Sequence, residues 1–273
     1  MSDTIDAAAQ SSIKVQRVHN LESPMNLAPQ VSARDFIRLA QGFYSIFWGL
    51  LITVLTGAQL LLLIGVRAST ESQAAAVVIM TTELLCALFL AAGTLAILAG
   101  SWRLFQVRSL GERWRSRTRV IVALAALLNY FGVCFWLWRR VPENTYLLDN
   151  ALAFAATGIL YLIAFNRVVA ALARALGRPD MALESRVLGA SNVVLLLLPF
   201  VCVVAYLIGM FVIRHTSPFM ELRSLLDRVN LLVILLMLLP FSLTLSLAWG
   251  CKDALLRQLA TFDQKPSQES DPA

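Results

Sequence analysis

Along this 273-residue chain, apolar positions gather into six long runs that carry almost no charge, and short polar segments separate them. A run of about 18 residues or more is long enough to cross the roughly 30 Å hydrocarbon core of a bilayer as a helix. The pattern predicts spans at about 43–66, 74–100, 120–138, 150–172, 187–213 and 229–251. Ahead of the first run, Asp35, Arg38 and Gln41 recur every three positions. They keep a polar face on a helix that starts near Ser32 or Ala33 and approaches the membrane. Residues 1–32 mix Ser, Asp, Gln and Pro without periodicity and are expected to be a disordered cytoplasmic tail, as are residues 263–273. No cleavable leader is legible in the tail, so the first span is expected to serve as its own insertion signal.

The connections add detail. The short segment Arg67 to Gln73 makes the first two spans a tight helical hairpin, and Ala92, Ala96 and Gly100 offer a small-residue row for close helix approach. The fourth helix is expected to continue past Asn166 to Leu176, with Arg167 reaching back to the surface and Gly177 and Pro179 ending it. Pro199 interrupts the fifth span. Pro240 lies in the sixth, ahead of Ser242, Thr244 and Ser246, whose hydroxyls are suited to satisfying backbone groups freed at a kink. Between these spans, Ser217 and Pro218 read as a helix start, and Phe219, Leu222, Leu225 and Leu226 form one apolar stripe. A short helix lying on the outer membrane surface is expected there.

Charge then orients the bundle. The stretch Ser101 to Arg119 holds six arginines, Arg103, Arg108, Arg113, Arg115, Arg117 and Arg119, against one acid. A loop so rich in arginine resists translocation and is expected on the cytoplasmic side. With the amino terminus inside, 17 of the 23 lysines and arginines fall on that side. Trp102 and Trp249 then lie at the inner boundary, and Trp136 and Trp138 at the outer one, as interfacial rings should. The predicted fold is all-α, a polytopic bundle of six transmembrane helices with both termini cytoplasmic, in a plasma (inner) membrane. Each even-numbered span ends in an apolar stretch running into a base, LAGSWR, LIAFNR and SLAWGCK. The topology demands that flank with or without an internal repeat. The net charge of +6 is spent on flanking apolar runs, so it argues against nucleic acid as a partner. The six arginines are instead candidates for contact with anionic lipid or an acidic partner.

Chemistry is mostly excluded. Neither His19 nor His215 lies in a span, and no span contains a lysine, so haem, an intramembrane metal site and a Schiff base have no ligands there. No P-loop, HExxH or glycine-rich dinucleotide signature occurs, and no cofactor and no catalytic residue is expected. Cys86, Cys134, Cys202 and Cys251 stand singly and read as small buried hydrophobes. Glu83 is the exception, a carboxyl roughly 13 Å along its helix from the outer end. It must face the interior, carry a proton or find a partner. Gln59 lies at similar depth on the adjoining helix, and Asn129 near the middle of the third span, so the three are a candidate polar cluster. Two functions follow. One is a non-enzymatic accessory, scaffold or assembly protein working through contacts with lipids, other membrane proteins or its own copies. The alternative is a small transporter or channel with a proton- or solute-linked site around Glu83.

Overall fold

The computed structural model describes residues 32–67, 73–141, 143–214, 220–222, 224 and 231–263. Every regular element among them is helical. In chain order these are α1 (Ala33–Arg67), α2 (Gln73–Gln106), α3 (Glu112–Arg140), α4 (Thr145–Ala175), α5 (Pro179–Asn192), a π-helical segment (Val193–Leu197), α6 (Leu198–Arg214) and α7 (Leu231–Asp263). Among the described residues, five segments are long and apolar enough to cross a membrane: Ala33–Leu60, Val78–Gln106, Glu112–Trp138, Thr145–Ala175 and Pro179–Ile213. Of the expected sixth span, 229–251, all but Val229 and Asn230 lies on α7, which is helical but not among these five. Residues 1–31 and 264–273 lie outside the described residues, as does most of the expected surface helix after Ser217, of which Met220, Glu221, Leu222 and Ser224 are described as helical.

The arginine-rich stretch is not the loop expected from its charge. Only Val107 to Gly111 leave the helix, and Arg113, Arg115, Arg117 and Arg119 lie on the opening turns of α3. Arginine is a good helix former, and what separates α2 from α3 is local geometry. Gly111 takes φ 84°, a left-handed conformation that favours glycine. The Trp114 indole N–H donates to the Leu104 carbonyl at 3.1 Å, in a fully buried contact. The tight turn is therefore pinned from inside.

Burial follows a seven-residue repeat. A buried stripe runs along α2 through Glu83, Cys86, Leu90, Gly93, Ile97, Gly100 and Leu104 in alternating steps of three and four, with Thr94 and Ser101 buried beside it. On α3 the stripe is Trp114, Thr118, Ile121, Ala125, Leu128, Gly132 and Phe135, with Trp138 buried beyond it. Such a stripe keeps one face of a helix against its neighbour over many turns. Where α1 crosses α2, glycines bring the backbones into contact. A Cβ on Gly49 would lie 2.7 Å from the Gly93 carbonyl oxygen, and one on Gly100 would lie 2.7 Å from that of Gly42. The pairs run antiparallel. Of the expected row Ala92, Ala96 and Gly100, only Gly100 makes the close approach, and its companion is Gly93; Ala92 is exposed.

The main interfaces join α1 to α2, α2 to α3, α3 to α4, α4 to α5 and α7 to α1, and smaller ones tie α7 to α4 and α5. α4 supplies the central filling. Tyr161 and Phe165 are fully buried, with Phe165 5.7 Å from the Phe43 ring on α1 and the Tyr161 hydroxyl 3.0 Å from Ser101 Oγ on α2. Asn144 caps its start by accepting from the Leu147 N–H. Its end is as the sequence predicts: Gly177 at φ 68° lets the Arg178 N–H reach the Ala173 carbonyl at 2.8 Å, a Schellman closure.

The fifth run differs from its expected form. It divides into α5, the π segment and α6. Pro199 has no N–H, and its ring displaces the carbonyl four residues earlier, so the ladder widens just upstream and Leu198 N–H bonds to Val193 O. Along α7, the Thr244 and Ser242 hydroxyls donate to Pro240 and Leu239 carbonyls at 2.8 Å each. These are bonds to their own preceding turn, and the carbonyls concerned are not the one that Pro240 frees.

Candidate functional site

Glu83 sits on the buried stripe of α2, 4% exposed. Its Oε2 lies 3.6 Å from Nε of Arg140, the last residue of α3. The guanidinium is 37% exposed and also lies over the Trp136 ring, 5.6 Å from the centroid. A buried carboxylate is therefore joined to a cation that reaches the surface, at the end of the bundle opposite the arginine-rich stretch. Ion pairing offsets the cost of removing the acid from water. Trp138, expected as an interfacial ring, instead packs into the buried cluster around Leu60, Phe135 and Leu148 beside this pair.

The predicted cluster of three does not assemble. Gln59 is exposed on α1, and its Oε1 accepts from the Cys86 thiol at 3.7 Å, one turn from Glu83. Asn129 lies elsewhere. Its Oδ1 accepts from Thr94 Oγ1 at 2.9 Å, and Thr94 is 11 residues beyond Glu83, roughly 16 Å along the helix. Each polar group instead joins a pair of helices: Glu83 and Asn129 join α2 to α3, and Gln59 joins α1 to α2. Arg140 lies just beyond the expected third span, 120–138, and was not among the candidate residues. A buried acid needs a cation, and the basic pair closing the third run was the visible signal.

The arginines form a second feature. Arg103, Arg108, Arg113, Arg117 and Arg119 are exposed and Arg115 is half-buried. Arg103 donates to Ser45 Oγ on α1 at 3.1 Å, and Arg115 lies over Phe105, 5.7 Å from the centroid, and 4.0 Å from Glu112. They flank the turn between α2 and α3, and all but Arg115 face outward. Lys252 lies at the same end, 3.3 Å from the centroid of the Trp249 ring. Among the described residues no group of three metal-ligating side chains occurs.

No family model, curated protein or solved structure matches the chain. Its apolar helices mark a membrane protein.

Proposed function

We propose that the chain is a six-span protein of a plasma membrane, with both ends cytoplasmic, that acts as an accessory or assembly component through lateral contacts. The observation that carries this reading is α6. Only 11% of the most apolar window of Pro179–Ile213 is buried, the least of the five candidate spans. Val201, Ile208, Phe211 and Val212 on α6 are all more than half exposed, and α6 has no extensive interface with any other described helix. Glu83, Gln59 and Asn129, meanwhile, are engaged in holding helices to one another. A photo-crosslinking residue at Val201 or Ile208, in cells, tests the idea. A discrete adduct with one other membrane protein, or with a second copy, supports it; adducts with lipid alone at both positions sink it.

The transport alternative draws on one observation, the contact of buried Glu83 with a partly exposed arginine. Its test is Glu83→Gln in proteoliposomes. Loss of a pH-dependent flux in a folded variant would favour transport, and an unchanged variant would remove its one specific residue.

A further inference from the structure

Asn166 on α4 and Asn192 on α5 are the least compensated polar groups in the core. Asn166 is 1% exposed and Asn192 is fully buried. No protein group pairs with Asn166 Oδ1, Asn166 Nδ2 or Asn192 Oδ1. A buried amide atom without a partner costs about 1–3 kcal/mol, so three of them are a large unexplained debit in one place.

They share that place. The Ser185 hydroxyl donates to the Asn166 backbone carbonyl, and a Cβ on Gly189 would stand 3.8 Å from Asn166 Cβ. Ser185, Gly189 and Asn192, at steps of four and three, lie on one face of α5. Asn192 is therefore roughly 4.5 Å beyond Gly189 along the same interface. From the third side, Thr244 Oγ1 on α7 meets Asn192 Nδ2 at 3.5 Å, a long bond, while its own proton goes to the Pro240 carbonyl. Asn192 also adjoins the π segment, where the helix is locally widened.

The chemistry of the orphaned atoms specifies what they bind. Two carbonyl oxygens require a donor, and one amide NH₂ requires an acceptor. Arg167, Glu184 and Arg186, the charged neighbours in sequence, are all exposed, so no charge faces the amides from these residues. A neutral molecule offering both donor and acceptor is called for, and water is the smallest. We infer that Asn166 and Asn192 bind an ordered water at the junction of α4, α5 and α7. Its two protons would meet Oδ1 of Asn166 and Oδ1 of Asn192, at the point where α6 departs from the bundle.

The test uses the full chain in lipid nanodiscs, with a structure at a resolution that shows ordered solvent, alongside Asn166→Leu, Asn192→Leu and the double variant. A solvent peak within hydrogen-bonding distance of both amides is expected, absent from either single variant. Each single variant should lower Tm, and the double should lose less than the sum, because removing both amides leaves nothing orphaned. Amides bonded directly to each other with no solvent peak would overturn the inference. So would single variants that raise Tm, the signature of a dry and uncompensated pair. The wild-type solvent map decides the matter even where a variant fails to fold.

Discussion

At the scale of single residues, Glu83 shows how a membrane core accommodates a charge. The sequence marks it as anomalous and leaves three solutions open, and Arg140 supplies the answer at 3.6 Å. The partner was hidden because the arginine closes an apolar run and reads as boundary, when α3 extends two residues past the expected span and carries it over the acid. Removing the arginine alone should cost more than removing both. Arg140→Gln takes away the guanidinium and leaves the carboxyl buried; Glu83→Gln leaves only an arginine that can turn to solvent. Arg140 is partly exposed, so its loss should cost between the roughly 1 kcal/mol of a surface pair and the roughly 3 kcal/mol of a buried one. Thermal unfolding in detergent should rank Glu83→Gln above Arg140→Gln, with the double variant Glu83→Gln/Arg140→Gln recovering part of the loss. Equal and additive effects would mean the two side chains do not support one another. Asn129 and Gln59 were legible as polar residues inside apolar runs but not as members of separate contacts. Depth can be counted from a sequence, whereas the face of a helix that meets a given neighbour is set by the packing.

At the scale of helices, the spans were legible because apolar runs and chain-breaking residues are one-dimensional signals, as at Gly177, whose left-handed φ closes α4. The arginine stretch was misread as a loop because charge reports sidedness and not backbone conformation. The α1–α2 crossing was half legible: a four-residue count on α2 chose Ala92, Ala96 and Gly100, and the seven-residue stripe keeps Gly100 but runs through Gly93 in place of the alanines. This distinction predicts opposite outcomes for one substitution. Gly93→Ala would set a methyl 2.6 Å from Thr53 Oγ1 and 3.1 Å from the Gly49 carbonyl oxygen, so the two backbones must part. Overpacking of this kind costs about 1–3 kcal/mol. Gly57→Ala on α1 meets nothing within 4 Å and should be neutral or gain up to about 1 kcal/mol of helix stability. A lowered Tm for Gly93→Ala beside an unchanged or raised one for Gly57→Ala is the expected result. The turn between α2 and α3 offers a further check. Trp114→Phe keeps the ring and deletes the bond to Leu104 O, which should cost about 1 kcal/mol and speed amide exchange at Val107 to Gly111.

For the whole molecule, the contacts make successive helices antiparallel. Gly42 faces Gly100, Thr94 bonds Asn129, Phe135 stacks on Phe154, and Asn192 reaches Thr244. The arginine-bearing turn therefore lies at the same end as the starts of α1 and α5 and the carboxyl end of α7, where Phe47 meets Trp249 at 5.2 Å. That shared end gives the proposed orientation its physical reason, because the excess of positive charge is concentrated there and lipid bilayers retain such clusters on the cytoplasmic side. The parity of spans is then testable. Five crossings would place the chain ends on opposite faces of the membrane; six return them to one face, and only α7 separates the two counts. Ile5→Cys and Gln268→Cys, each labelled with a membrane-impermeant maleimide in intact cells, read this directly, with the unsubstituted chain and its four native cysteines as background. Neither position should label until the membrane is opened, and then both should. Labelling of one position alone in intact cells would establish an odd number of crossings. Labelling of both would keep the parity and invert the bundle, which would place six arginines on the outer face and remove the electrostatic basis of the orientation.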